Sequence, residues 1–212
     1  MKTLNDILNE ARKELTQRDK IREDAQMDMR KATSFSKQSI LLIHQKRWKE
    51  AEKLIERATE KLSKLHDTSA TYPDVIYGGM YSAALQEYSE ARIFLKLVRG
   101  SRFVEPKEIS VPFTDYVLGL ADVIGECRRW ALDALREGNV RKGERCLKTM
   151  DEIYIELMAM DESYVLVPGL RRKCDVARKI IEITRGDVTQ EIRRSSLEKH
   201  FERLEKTAKK KA

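Results

Sequence analysis

From Thr3 to Asp67 the chain contains neither glycine nor proline, the residues that most often turn a chain or end a helix. An all-β chain needs a turn about every 8–12 residues, so a run this long without punctuation predicts long helices. Within it Leu4, Ile7, Leu8, Ala11 and Leu15 recur at helical spacing, and Ile40, Leu41, Ile43 and His44 continue the pattern. Trp48, Ala51, Leu54, Ile55, Ala58, Leu62 and Leu65 mark a second amphipathic helix. The apolar phase shifts near residues 44–47, which predicts a break there.

The remaining punctuation divides the chain in the same way. Pro73 can occupy the first turn of a helix, predicted to run to about Arg99 and stop at Gly100, with residues 101–110 as a connector. Val111-Pro112 leads into a helix through about Glu137, Gly138-Asn139 makes a turn, and a further helix covers about Val140 to Met160. After Val167-Pro168-Gly169 a helix is expected to Arg185, closed by Gly186. A charged helix then spans about Val188 to Lys206, and residues 206–212 form a basic tail expected to fray. No strand-like alternation and no repeat of fixed period is visible. The expected fold is all-α: a single domain over residues 1–212, a bundle of about seven helices.

Composition narrows the function classes without choosing one. A formal charge of +7 permits nucleic acid as a partner but does not imply it. Three cysteines, none in a CxxC pair, support neither a disulfide framework nor a zinc site, and they read as core residues. The N-terminal segment has no apolar signal-like region and no stretch approaches 18 uninterrupted apolar residues, so the expected location is cytoplasmic.

The informative positions are acids placed where a helix should be apolar. On the helix after Pro73, Ile76, Met80, Ala83, Ala84, Ala91, Phe94 and Val98 fall on one broad arc at about 100° per residue. Glu87 and Glu90 fall inside it, three residues apart, with Ser82, Ser89, Arg92 and Lys96 opposite. On the helix after Asn139, Asp151 sits among Leu147, Met150, Tyr154, Leu157 and Met158, while Glu152 and Glu156 point away. A third, less clean set is Asp115, Gly119, Asp122 and Glu126; a solvated face explains Asp122, whereas Glu126 can face a neighbouring helix because Gly119 and Gly125 permit close approach. Acids in apolar surroundings are costly unless paired with cations or a metal. Two readings follow: internal salt bridges with some of the 42 Lys and Arg residues, or a carboxylate cluster of hard oxygen ligands suited to Mg²⁺ or Mn²⁺.

Phe113–Arg129, FTDYVLGLADVIGECRR, resembles the DYxxGxADxxGE signature of the translin and translin-associated factor X family. LQEYSEARIF (Leu85–Phe94) is similar to the ExxE helix of its nuclease-type members, and GLRRKCDVARKIIEITRGD (Gly169–Asp187) to its penultimate helix. The resemblance implies an all-α fold of about seven helices, octameric assembly around nucleic acid, and two functional types: binders of single-stranded DNA or RNA, and metal-dependent endoribonucleases. It assigns the catalytic, metal-binding acids to Glu87, Glu90 and Asp151, the same acids that helical periodicity marks as anomalous. Glu126 would support them from behind. Gly125-Glu126-Cys127-Arg128 departs from the family's usual Gly-Glu-Leu-Met-Arg, so no role follows for Arg128.

Arg30, Lys31, Lys37, His44, Lys46 and Arg47 form a basic stretch; the resemblance implies nucleic-acid contact here, against the alternative of a merely solvated helix face. Arg171, Arg172 and Lys173 either hold phosphate or balance a neighbour's acids. Trp48 and Trp130 read as packing residues. The sequence thus points to a homo-oligomeric, Mg²⁺-dependent endoribonuclease acting on single-stranded RNA. The alternatives are a non-enzymatic single-stranded DNA or RNA binder and a helical scaffold whose acids form salt bridges.

Overall fold

A computed structural model describes residues 2–100 and 102–211; Ser101, at the start of the expected connector, and Ala212, at the end of the tail, lie outside it. Among the described residues the secondary structure is helical throughout, with seven α-helices, two 3₁₀ turns and no strand. The helices are α1 (Leu4–His44), α2 (Trp48–Ser69), α3 (Pro73–Ile76), α4 (Gly79–Gly100), α5 (Phe113–Arg136), α6 (Val140–Met158) and α7 (Leu170–Lys211). The chain forms two compact units, residues 1–119 and 120–212.

In the first unit, α1 opens with a capping box: Asp6 N–H donates to Thr3 Oγ1 at 3.2 Å, and Thr3 N–H donates to the Asp6 carboxylate at 2.9 Å. It ends in a Schellman turn, where the N–H groups of Lys46 and Arg47 donate to the carbonyls of Ile43 and Leu42, each at 2.9 Å. Lys46 takes the left-handed conformation (φ 60°) that this turn requires. This is the break that the phase shift predicts. α2 returns antiparallel and buries Ala51, Ile55, Ala58, Leu62 and Leu65 at heptad-like spacing. Its lysines 61 and 64 reach Asp28 on α1 at 3.0 and 2.8 Å, and that carboxylate is buried. The α1 stripe at Leu4, Ile7, Leu8 and Leu15 is helical as expected but exposed.

The helix expected from Pro73 to Arg99 is two. Tyr77 is extended (ψ 115°) and Gly78 and Gly79 follow, so the chain bends between α3 and α4. α4 runs parallel to α1, with Lys37 beside Glu87 and the His44 ring 5.1 Å from that of Phe94. It is antiparallel to α2, tied by a Thr59–Tyr88 hydroxyl hydrogen bond of 2.8 Å and an Arg99–Glu52 ion pair. The start of α5 covers another side. A Cβ at Gly119 would lie 2.6 Å from the Gln86 carbonyl oxygen and 2.7 Å from Ser89 Cβ, so only glycine fits that approach.

In the second unit Gly138 (φ 74°) closes α5 through a second Schellman turn, and the Asn139 side chain caps α6 by accepting from Lys142 N–H at 3.1 Å. α6 buries Met150, Ile153 and Leu157, and α7 buries Leu170, Cys174, Ala177, Ile181, Thr184 and Val188 in alternating steps of four and three. Gly186 does not end a helix. α7 is continuous to Lys211, including the tail expected to fray. Cys127 and Cys174 are core residues and Cys146 is half-buried; Trp130 is buried with the Lys142 ammonium 3.9 Å from its ring centroid. Among the described residues no helix is long and apolar enough to cross a membrane.

Candidate acidic site and basic surface

Packing on three sides makes α4 the most enclosed helix of the first unit. Tyr81, Ala84, Leu85, Tyr88, Ser89, Glu90, Ala91, Ile93, Phe94 and Leu95 are all buried. That corrects the single-arc reading in two respects. Ser89, placed on the open face by periodicity, is fully buried and donates to the Leu85 carbonyl at 2.8 Å, next to Gly119. Met80 and Ala83, placed on the buried arc, are exposed. One-sided periodicity fails where neighbours cover several faces.

The acids keep the burial that periodicity assigns them. Glu90 is buried, and the Glu87 side chain is 26% exposed with its carboxylate 3.0 Å from Lys37 Nζ on α1. Asp115, from the third set, is also buried and is satisfied without a cation: it accepts from Ser82 Oγ and from Gln86 Nε2 at 3.4 Å.

In the second unit Asp151 is half-buried on α6 and pairs with Arg185 of α7 at 2.7 Å, while Glu152 and Glu156 are exposed as expected. Asp122 pairs with Lys173, so that member of the 171–173 cluster balances a neighbouring acid; Arg171 and Arg172 are exposed. Glu126 is half-buried. Arg128 ties α5 to α7 by donating to Thr184 Oγ1 at 2.7 Å and pairing with Asp187 at 3.3 Å. Sequence alone offered no signal for that pairing, because the partners lie on different helices.

The basic stretch divides along α1 and its turn. Arg30, Lys31 and Lys37 are exposed on α1, and Lys46 and Arg47 are exposed in the turn. Arg47 also makes a bidentate pair with Glu50, which raises its guanidinium pKa and lowers that of the Glu50 carboxyl, chiefly through the shared hydrogen bonds. His44 is half-buried and packs against Phe94. Such an imidazole serves the helix interface first. Arg57 lies over the Phe35 ring at 4.0 Å and extends the cationic surface onto α2; sequence reading passed over it because the two residues meet only across helices.

Carboxylates of Glu and Asp are the hard donors that Mg²⁺ and Mn²⁺ prefer, so the donor chemistry of Glu87, Glu90 and Asp151 fits such an ion. Among the described residues no three His, Cys, Asp or Glu side chains gather into a metal-holding group, and Glu87 and Asp151 are each engaged by a cation.

These features describe an all-α protein of long helices in which Glu87, Asp115, Asp122 and Asp151 are matched by cations or hydroxyls, and in which α1 carries an exposed basic face. The Translin family profile matches residues 16–182, and the chain belongs to that family. It is 34% identical over 207 residues to an uncharacterized protein of Methanocaldococcus jannaschii, a match spanning 97% of this chain and 90% of the relative. Among solved structures it is similar to AfC3PO, with TM-score 0.79 and 36% identity over 87% of this chain and 96% of that one. An AfC3PO–duplex RNA complex matches with TM-score 0.78 and 36% identity, over 87% and 95% of the two chains. Apo-NeC3PO shares the fold at 22% identity and TM-score 0.76, over 90% and 98%.

Proposed function

We propose that this protein binds RNA through the exposed basic face of α1 and cleaves it as a Mg²⁺- or Mn²⁺-dependent endoribonuclease. The observation that carries the reading is the placement of Glu87 and Glu90, two acids in the most enclosed helix of the first unit, in a chain 36% identical to a protein solved with duplex RNA. Glu87, Glu90 and Asp151 would hold the metal, with Glu126 supporting them. When bound, the ion supplies Lewis-acid polarisation of a phosphoryl oxygen and an acidified water. Lys37 balances Glu87 until then; released from that pair, its ammonium is free to meet a phosphate. Arg30 and Lys31 position the strand by its backbone and carry no base specificity.

Self-association, as an octamer, belongs to the same reading. The exposed apolar stripe of α1 and the exposed Leu197, Phe201 and Leu204 of α7 are surfaces that a second copy would cover. A passive RNA or single-stranded DNA binder is the second reading, favoured by the cations already engaging Glu87 and Asp151.

A cleavage assay separates the two. Labelled single-stranded and duplex RNA are incubated with Mg²⁺, with Mn²⁺ and with EDTA, using the natural chain and Glu87→Ala/Glu90→Ala. The expected result is cleavage of single-stranded RNA that disappears in EDTA and falls at least a hundredfold in the double variant, whose helicity and assembly are unchanged. Tight RNA binding with no cleavage under either metal would leave the passive binder, and cleavage of the duplex alone would revise the substrate.

A further inference from the structure

On the side of α4 facing away from Glu90, a concavity has no part in the proposed RNA chemistry. α2, α4 and the 3₁₀ turn at Pro106–Ile109 enclose a cavity of about 290 Å³ in the first unit. Tyr81, Leu85, Tyr88 and Arg92 reach it from α4 at successive turns; Tyr81 stands nine residues from Glu90, about half a revolution round the helix. Its floor is apolar and buried: Leu62, Leu85 and Ile109 with the rings of Tyr81 and Tyr88. Its rim is polar and exposed, with Thr59, Ser63, His66 and Ser110.

One cation reaches in without an anion to match it. The Arg92 Nε is buried and has no hydrogen-bond partner, and among the described residues Arg92 forms no ion pair. Its guanidinium carbon sits 6.0 Å from the Tyr88 ring centroid. A buried guanidinium N–H left unsatisfied is costly in a folded protein. Glu108, which lines the cavity, does not answer it: that carboxylate is clamped by Arg102 at 3.0 and 2.8 Å, which holds its pKa at about 2. Ser110 takes the left-handed conformation (φ 54°) as the C-cap of the 3₁₀ turn, its N–H donating to the Lys107 carbonyl at 3.4 Å, which fixes the lip.

We propose that this cavity binds a small organic anion, its carboxylate or phosphate head on Arg92 and a ring-sized apolar body on the floor formed by Leu85, Tyr81 and Tyr88. The volume lies at the small end of ligand pockets and suits a single ring with its head group. A bare inorganic anion would leave the apolar floor unused; a neutral ring would leave Arg92 unmatched.

Calorimetric titration of the full chain tests this with four probes: phenyl phosphate, phenylacetate, inorganic phosphate and benzyl alcohol. At least one aromatic anion is expected to saturate a single site per chain, with inorganic phosphate and benzyl alcohol each at least tenfold weaker. The stronger aromatic anion identifies the head group. Arg92→Gln is expected to weaken it tenfold or more while leaving RNA binding unchanged. Ser63→Trp, on the exposed rim, is expected to block the cavity with the thermal transition unaltered, which covers the case in which Arg92→Gln disturbs folding. Failure of both aromatic anions to bind, equal binding of either control, or undiminished binding in both variants would overturn the proposal.

Discussion

Asp28 shows how a buried charge is kept in the first unit. Burial alone would raise its carboxyl pKa, but the hydrogen bonds and charges of Lys64 and Lys61 outweigh that and hold it below the usual carboxylate range. A folded-state value below the unfolded one, about 3.9, gives stabilisation that is complete above the unfolded value and is lost as pH falls through the folded one. Asp28→Asn is therefore expected to lower stability by about 1–2 kcal/mol at pH 7, at the modest end because both lysines keep solvent contact. The deficit should shrink as pH falls below the unfolded value and through the folded one, and urea denaturation at pH 7 and at acid pH checks it; an equal loss at both would assign the effect to packing. Residue identity and helical phase were enough to mark Glu87, Glu90 and Asp151 as out of place. They could not name Lys37 and Arg185 as partners, because those side chains come from other helices.

At the scale of elements, caps and breaks follow local chemistry and were largely readable. The phase shift before Trp48, the Gly138-Asn139 turn and the opening of α7 after Gly169 all lie where sequence puts them. Gly186 does not behave as a stop. The buried face of α7 passes through Ile181, Thr184 and Val188, and packing along that face outweighs the roughly 1 kcal/mol that a mid-helix glycine costs. A Cβ at Gly186 would meet nothing within 4 Å. Gly186→Ala is therefore expected to raise stability by about 0.5–1 kcal/mol, seen as a higher thermal midpoint; an unchanged or lower midpoint would mean that the chain needs flexibility there.

For the molecule as a whole, the RNA contact proposed for the exposed cations of α1 and its turn carries a salt dependence that can be measured. Each phosphate contact removed lowers the slope of log K against log[salt] by about 0.7 for a single strand. Arg30→Ala/Lys31→Ala is therefore expected to weaken RNA binding about equally across sequences and to flatten the slope by roughly 1–2, measured by fluorescence anisotropy between about 50 and 200 mM salt. A slope unchanged in the double variant would move the contact surface away from this part of α1. His44→Ala should show little effect on that slope, because its ring packs against Phe94.

By itself the sequence determined the all-α class, most helix boundaries, the anomalous acids and the family resemblance, because these rest on local propensity, periodicity and short motifs. Tertiary structure decided what depends on several neighbours at once: that α4 is enclosed on more than one side, burying Ser89 and exposing Met80, and that α7 runs on through Gly186. It also decided which cations meet which acids and left the buried Arg92 Nε without a hydrogen-bond partner. Helical phase fixes a direction from one axis; which neighbour, if any, lies in that direction is set by the packing of the other helices.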